Sequence, residues 1–323
     1  MIFNDPSSTP EQTAQALERL TKAAEAGQDC AQYALGKIYR DGQGAEKDIQ
    51  KAVALFTLAA TKENSFAAFA LGKLYLAGDA ALPRDPAAAL KWLTYAAELG
   101  NQFAQYRLGK LLLKGDDGIP KDVITAIRWL TAAAKQENGY AEYALALVYL
   151  TGEDAPKDSV KALSLLKRSA GRGNQFAQYR LGKLLLQGED APKDVKAAIR
   201  WLTAAAEQGN QYAQYALGKL YLLGKEVPKD RSSAIKWFQL AADQGNEYAQ
   251  YFLKHMDDRL GQPPVAAVIS LFHHLANIFQ EQNQPPPSGG VRVAVDRKLL
   301  RKIKAKKIAQ GHKADDHEPE MQL

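Results

Sequence analysis

Two adjacent histidines and a single cysteine are the residues of this sequence most able to bind a metal ion or act as a nucleophile. His273 and His274 are neighbours, and a helix would point their side chains about 100° apart, so a shared metal ion is not expected. Cys30 has no basic residue close in sequence that would activate its thiol. We therefore interpret the histidines as surface or capping residues and the cysteine as a packing residue.

Motifs that mark catalytic sites are not recognisable in the sequence. It shows no phosphate-binding loop, no metal-ligand spacing and no catalytic triad signature. The sequence therefore predicts a protein that is not an enzyme and that needs no cofactor and no metal ion.

Internal repetition is the strongest signal in the chain. The stretch QFAQYRLGKLLL stands at 102–113 and again at 175–186. It contains an anchor, Leu-Gly-Lys, whose intact and degenerate copies are 36 or 37 residues apart and begin at Leu35, Leu71, Leu108, Leu145, Leu181, Leu217 and Leu253. A solenoid permits such repetition, because each repeat meets the same neighbours and needs the same side-chain shapes.

Each repeat is predicted to form two helices of about twelve residues. In the unit at 211–246, apolar residues recur at helical spacing on both sides of a short loop. Gly224 is placed to end the first helix, Asp230 to cap the start of the second, and Gly245 to form a left-handed C-terminus. Alternating helices with short loops predict an all-α superhelix.

Glycine recurs inside the first helix of the repeats, where it costs roughly 1 kcal/mol relative to alanine. We expect the cause to be close approach of the second helix, which a Cβ atom would prevent. The positions are Gly36, Gly72, Gly109, Gly182 and Gly218. Four tryptophans share one position of the second helix and are predicted to pack in the core: Trp92, Trp129, Trp201 and Trp237.

The pattern A-x-x-L-G-x-x-Y/L-x-x-G, then P-K-D, then A-x-x-W-L-x-x-A-A-x-x-G-N resembles the Sel-one-like repeat, a subclass of the tetratricopeptide-like α/α repeats. The resemblance covers roughly residues 11–254. It implies an all-α fold, a right-handed α/α superhelical solenoid of helix pairs. It also implies a scaffold that binds protein or peptide partners.

The resemblance further implies which first-helix residues line the concave groove: those six and three before the glycine, and one, four and five after it. A basic and aromatic groove would suit an extended acidic and hydrophobic peptide. The alternative is that the lysines are merely solvated and the aromatic rings pack within the array. The candidate partner-binding residues are Lys37, Lys73, Phe103, Tyr106, Lys110, Lys114, Phe176, Tyr179, Lys183, Tyr212, Tyr215 and Lys219, with Leu147 interrupting the lysines.

The ends of the chain are predicted to differ from the array at 29–254. Residues 1–28 match a second helix, with Thr9 as its N-cap, and form either an N-terminal cap or the remnant of a longer chain. After the array we expect a capping helix at Pro264–Gln282, within the segment 255–283, a Pro/Gly linker at 284–295 and a flexible tail at 296–323 that is basic and then acidic.

The tail suggests a second function. Residues 292–313 hold nine lysines and arginines against one aspartate, so weak, non-specific contact with nucleic acid is expected. Residues 265–323, together with the repeats, are also similar to C-terminal regions of relaxases from mobile elements, which would imply an accessory role in DNA mobilisation. The candidate contacts are Arg297, Lys298, Arg301, Lys302, Lys304, Lys306 and Lys307.

Composition limits the remaining possibilities. The net charge is +6 and 46% of the residues are hydrophobic, which is typical of a globular protein. The sequence shows neither a signal peptide nor a membrane-spanning segment. We therefore expect a monomeric cytoplasmic protein.

Overall fold

The computed structural model describes residues 9–115 and 118–256, which form fourteen α-helices joined by short loops. The predicted helix at Pro264–Gln282, the linker at 284–295 and the tail at 296–323 lie outside the described residues, as do His273 and His274. The helices are α1 (Pro10–Glu25), α2 (Asp29–Asp41), α3 (Ile49–Ala60), α4 (Ser65–Ala77), α5 (Pro86–Glu98), α6 (Gln102–Lys114), α7 (Val123–Lys135), α8 (Gly139–Thr151), α9 (Ser159–Gly171), α10 (Gln175–Gln187), α11 (Val195–Glu207), α12 (Gln211–Leu223), α13 (Arg231–Asp243) and α14 (Glu247–Met256).

The described helices form an α/α solenoid, as the repeat pattern predicts. Each helix packs against the next one in the chain. The even-numbered helices from α2 to α14 are the first helices of successive repeats, and the odd-numbered helices from α3 to α13 are the second helices. No β-strand occurs among the described residues, and an isolated bridge joins Asp79 to Leu82.

Capping side chains set the start of the helices at the predicted positions. Asp230 accepts a hydrogen bond from the backbone N–H of Ser233 at the start of α13, and an aspartate caps each of α3, α5, α7, α9 and α11 in the same way. An asparagine caps each of the first helices α4, α6, α8, α10 and α12. At α1, Thr9 and Gln12 form the expected reciprocal capping box.

The glycines inside the first helices lie where a second helix approaches closely. A Cβ atom on Gly182 would lie 2.7 Å from Cγ of Leu202 and 3.0 Å from the carbonyl oxygen of Ala198. The same conflict would arise at Gly36, Gly72, Gly109 and Gly218. The expectation that these glycines permit close helix packing is therefore confirmed.

The four tryptophans lie beside the core rather than at its centre. They are half-buried and pack against the buried leucines and alanines. Cations of the second helices approach some of these rings: the Arg128 guanidinium is 5.0 Å from the Trp129 ring and the Lys236 ammonium is 5.8 Å from the Trp237 ring. The space opposite the glycines is filled by the residues that follow the tryptophans in sequence, such as Leu202 and Phe238.

The expectation that Cys30 packs in the array is wrong, because its side chain is exposed. At the same position of the next repeat, Phe66 packs on Tyr33 of the preceding first helix, with ring centroids 6.2 Å apart. No first helix precedes α2 among the described residues. Cys30 therefore has no equivalent neighbour to cover it.

The lysine of the Pro-Lys-Asp loop links consecutive repeats. Lys121 Nζ lies 2.6 Å from the carboxylate of Asp154, Lys157 lies 2.8 Å from Asp190, and Lys193 lies 2.8 Å from Glu226. The lysines are about half-exposed, and such surface pairs contribute little each. The same ion pair between consecutive repeats nonetheless forms at each of these three lysines, which accounts for the recurrence of lysine at this position.

Two second helices are followed by a non-glycine residue with left-handed backbone. Glycine has positive φ at the equivalent position elsewhere, as at Gly209 and Gly245, whereas Glu63 has φ of 64° and Glu137 has φ of 67°. A Cβ atom in this region is strained. Glu137 is also held by Arg172, whose Nη1 lies 2.9 Å from its carboxylate.

Replacing Glu63 by glycine is therefore expected to stabilise the protein by about 1 kcal/mol, because relief of the left-handed strain exceeds the added entropy of the unfolded chain. The measurement is urea unfolding followed by circular dichroism. Glu137→Gly is the comparison and should stabilise less, since it also removes the ion pair with Arg172. An unchanged or lower urea midpoint for Glu63→Gly would show that this backbone is not strained.

Candidate partner-binding face

The first helices present a continuous series of aromatic side chains. The ring three residues before the glycine of one repeat contacts the ring six residues before the glycine of the next. The ring centroids are 5.9–6.4 Å apart in the pairs Tyr33–Phe66, Phe69–Phe103, Tyr106–Tyr140, Tyr143–Phe176, Tyr179–Tyr212 and Tyr215–Tyr248. These contacts join α2 to α14 along one surface, which we call the first-helix face.

The aromatic rings differ in how far they reach solvent. Tyr212 is 55% exposed and Phe66 is 43% exposed. The other rings of these pairs are half-buried, including the candidate residues Phe103, Tyr106, Phe176, Tyr179 and Tyr215. Burial raises the pKa of the phenols of Tyr143, Tyr179 and Tyr215. The rings therefore pack against one another and also present an edge or face to the surface.

The candidate lysines lie beside these rings on the same face. Lys73, Lys110, Lys114 and Lys183 are exposed, whereas Lys37 and Lys219 are half-buried. The Lys37 ammonium is 5.8 Å from the centroid of Tyr33, and that of Lys73 is 5.9 Å from Phe69, within range of a cation–π interaction. The structure thus brings the predicted lysines and aromatic residues together on one surface.

Crowding on this face changes the electrostatics of two lysines. Although Lys183 reaches solvent, the surrounding atoms displace part of the water around its ammonium group, and this burial lowers its pKa; the positive charge of Arg180 adds to the effect. Burial also lowers the pKa of Lys219, to which the charge of Lys183 contributes. A bound anion would relieve both effects.

The first helices from α4 to α12 are almost free of acidic residues. Their only acidic residue is Glu142, which is fully buried. They carry seven cations: Lys73, Arg107, Lys110, Lys114, Arg180, Lys183 and Lys219. From α4 to α12 the face is therefore positive and matches a negatively charged ligand.

Two arginines of this face were not predicted as candidates. Arg107 and Arg180 lie two residues before the glycine and are half-buried. The charge of Arg180 acts on Tyr143, Tyr179 and Lys183. The available signal was the repeated QYRLGK, in which the arginine precedes the anchor lysine by three residues, one helical turn.

A loop carboxylate near this surface is already engaged by other groups. Hydrogen bonds from Lys157 and Ser159 lower the pKa of Asp190 and outweigh the effect of burial, which raises it. The positive charge of Arg180 also lowers this pKa. The Asp190 carboxylate accepts from Ser159 Oγ at 2.7 Å and lies 2.8 Å from Lys157 Nζ. Because Ser159 and Lys157 already engage this carboxylate, Asp190 competes only in part with a ligand for Arg180.

Beneath the face, α8 differs from its neighbours by a buried charge. In α10, Gln178 donates to the carbonyl oxygen of Ala170 at 3.1 Å and accepts from Gln208 at 2.8 Å. Glu142 takes this position in α8. Its carboxylate lies 2.6 Å from Arg168 Nη2 and 3.4 Å from Arg172 Nε.

Neither a metal site nor a membrane span is found in the part of the chain that the structure describes. Among the described residues, no group of three or more histidine, cysteine, aspartate or glutamate side chains is placed to hold a metal ion. In the same part of the chain, no helix is long and apolar enough to cross a membrane.

Fourteen described helices in consecutive contact, with a glycine at the crossing of the two helices in five of the repeats, define an α/α-repeat solenoid protein. The Sel1 repeat family model matches six units, at 31–64, 65–101, 102–138, 139–174, 175–210 and 211–246. The chain belongs to the Sel1 repeat family, as the resemblance indicated. Comparison with curated proteins gave no match.

The solved structures that are similar to the chain include the following two. One is c5321, a protective antigen of uropathogenic Escherichia coli with an SLR fold, at 35% identity and a TM-score of 0.67; the match covers 77% of this chain and 53% of that one. The other is a Sel1 repeat protein from Oxalobacter formigenes, at 33% identity and a TM-score of 0.68, covering 77% of this chain and 71% of that one. The chain thus spans about half the length of the Escherichia coli protein.

These matches name no relaxase. The relaxase resemblance stays a prediction, and residues 265–323 lie outside the described residues. The predicted nucleic-acid contacts from Arg297 to Lys307 lie there too. Sel1 repeat proteins are generally non-catalytic scaffolds for protein interaction.

Proposed function

We propose that this chain is a non-catalytic scaffold that binds an acidic, partly hydrophobic segment of a partner protein on the first-helix face. The observation that carries the proposal is the charge of that face: seven cations and one fully buried acidic residue on the first helices from α4 to α12. Aromatic rings lie beside the cations and supply apolar contact area.

A peptide suits this surface better than a compact small molecule. The aromatic pairs run from α2 to α14 without interruption, so the surface is a long track of similar contacts. An extended chain can place acidic side chains against the lysines and apolar side chains against the rings. Its net negative charge would also speed association.

Charge reversal tests the proposal. The variant with Lys110→Glu, Lys183→Glu and Lys219→Glu should lose about tenfold or more in affinity for a short labelled peptide in which glutamates alternate with leucines, because attraction becomes repulsion. Fluorescence anisotropy measures binding, and circular dichroism checks that the array remains folded.

A matched variant controls for net charge. Lys91→Glu, Lys167→Glu and Lys196→Glu also change three lysines, all of them exposed and on second helices. They should leave peptide affinity within about twofold, since most of the effect of a charge is local at physiological salt. Equal losses in both variants would contradict binding on the first-helix face. Tighter binding of single-stranded DNA than of the acidic peptide would instead support a nucleic-acid-binding function.

A further inference from the structure

Two first helices of the face are copies of each other in sequence, and part of their surroundings repeats as well. Helices α6 and α10 share twelve identical residues, and the second helices that pack on them share AIRWLTAAA at 126–134 and 198–206. Their aromatic neighbours also correspond: Tyr106 lies 5.9 Å from Tyr140, and Tyr179 lies 6.1 Å from Tyr212. The face therefore presents nearly the same local surface twice, with Lys114 at the end of α6 where α10 has Gln187.

The basic residues of the face are also repeated on α6 and α10. Arg107 and Lys110 lie one helical turn apart on α6, as Arg180 and Lys183 do on α10. At the two corresponding positions of α8, between them, stand Ala144 and the half-buried Leu147. A helix without a cation thus separates two identical cation pairs.

The flanking helices extend each pair outward. Helix α4 adds Lys73 beside the first pair, and α12 adds Lys219 beside the second. The charge of Lys183 contributes to the lowered pKa of Lys219. Neither α4 nor α12 has an arginine two residues before its glycine, where Ala70 and Ala216 stand. The positive charge is therefore greatest at α6 and α10 and lowest between them.

We propose that the first-helix face contains two equivalent subsites, one on α6 and one on α10, and that its ligand is a protein segment with two short acidic motifs separated by an apolar spacer. This inference rests on the proposed function. Each motif pairs with one Arg–Lys pair, and the spacer crosses Tyr143 and Leu147 of α8. An unbroken acidic run fits less well, because its central carboxylates would lose hydration without gaining a cation.

Helix geometry sets the length of the spacer. Helices α6, α8 and α10 meet through their aromatic rings, with centroids 5.9 Å apart for Tyr106–Tyr140 and 6.3 Å for Tyr143–Phe176. With an axial distance of about 10 Å between contacting helices, α6 and α10 are separated by roughly 20 Å. An extended chain advances about 3.3 Å per residue, so about six residues connect the centres of the two motifs.

The test uses the full chain and three labelled synthetic peptides. The first has one acidic motif, the second has two motifs at the inferred spacing, and the third has two motifs separated by a much shorter spacer. The second should bind about tenfold or more tightly than the first, because one contact raises the effective concentration for the other. The third should bind like the first, since it cannot reach both subsites.

Single substitutions test the equivalence of the subsites. Lys110→Glu and Lys183→Glu should each reduce the affinity for the two-motif peptide to that for the one-motif peptide, and by the same factor. Lys196→Glu, an exposed residue of α11, is the control and should leave the affinity unchanged. Leu147→Lys should favour a peptide with an unbroken acidic run.

The outcomes separate this inference from the proposed function. If one-motif and two-motif peptides bind equally at every spacer length, the two-subsite inference is overturned while the acidic-peptide function stands. If only one of the two lysine variants weakens binding, the subsites are not equivalent and the inference is again overturned. Binding of no acidic peptide would overturn both.

Discussion

Replacing Gly182 by valine should destabilise the protein by about 3 kcal/mol or more, the upper end of the cost of overpacking a core. The Cβ atom alone would lie 2.7 Å from Cγ of Leu202 and 3.0 Å from the carbonyl oxygen of Ala198. Rotation of Leu202 could relieve the first contact, but the second is with backbone. Helices α10 and α11 must therefore separate.

Two controls isolate this steric effect. Gly171, at the exposed end of α9, has no atom within 4 Å of a Cβ position, so Gly171→Val introduces the same side chain without a clash. Lys183→Ala, next to Gly182, changes an exposed side chain and should cost about 0.5 kcal/mol or less. Urea unfolding of the three variants gives the comparison. Similar losses for Gly182→Val and Gly171→Val would rule out close packing as the reason for glycine at position 182.

Much of the fold could be predicted because each local signal is repeated. The glycine inside the first helix, the aspartate that begins the second and the glycine that ends it each recur at a fixed interval. An accidental match at one repeat would not recur at the others. The structure confirms these assignments at Gly182, Asp230 and Gly245.

Less of the environment at the ends of the array could be predicted. Cys30 occupies a position that an aromatic residue fills in later repeats, so its sequence position suggested packing. A preceding first helix supplies the ring contact at this position, as Tyr33 does for Phe66, whereas α2 follows a lone second-type helix, α1, in the described part of the chain. Repeat register alone therefore does not determine burial at the boundary of the array.

The candidate face was predicted in part. Register placed Lys110 and Tyr106 on one face, and the series of ring contacts shows that such residues line a continuous surface. The repeat register did not include Arg107 and Arg180 among the candidates, because the implied groove positions omit the residue two before the glycine. The partner-binding role of all these residues remains a prediction.

The buried charge of α8 was not predicted, because it becomes visible only when residues about 30 positions apart are seen in contact. Where neighbouring repeats have two glutamines, as Gln178 with Gln208 and Gln214 with Gln244, this repeat has Glu142 with Arg172. Arg168 also donates to the carbonyl oxygen of Ala134 at 3.3 Å. That oxygen corresponds to the one on Ala170 that Gln178 satisfies in the next repeat.

Glu142 depends strongly on its two arginines. It is fully buried, and neither carboxylate oxygen has a partner within hydrogen-bond geometry, so proximity of positive charge is its main compensation. Leaving a buried carboxylate without a counter-charge costs about 3–5 kcal/mol. Arg168 and Arg172 are the ion-pair partners close to it.

Removing both arginines, as Arg168→Ala with Arg172→Gln, should therefore destabilise the protein by about 3 kcal/mol through the orphaned carboxylate of Glu142. Adding Glu142→Gln should restore stability to the wild-type value or above, because a well-paired neutral core often equals or exceeds a buried ion pair. The triple variant recreates the side chains found at Gln178, Ala204 and Gln208 of the next repeat.

Urea unfolding of the double and triple variants, with Glu142→Gln alone as the third, separates charge from packing. The double and triple variants share the same arginine truncations and differ only in whether position 142 carries a charge. Recovery in the triple variant thus assigns the loss to the unpaired carboxylate. If the triple variant is as unstable as the double variant, the arginines stabilise α8 and α9 by packing along their stems, and the charge of Glu142 is not what they compensate.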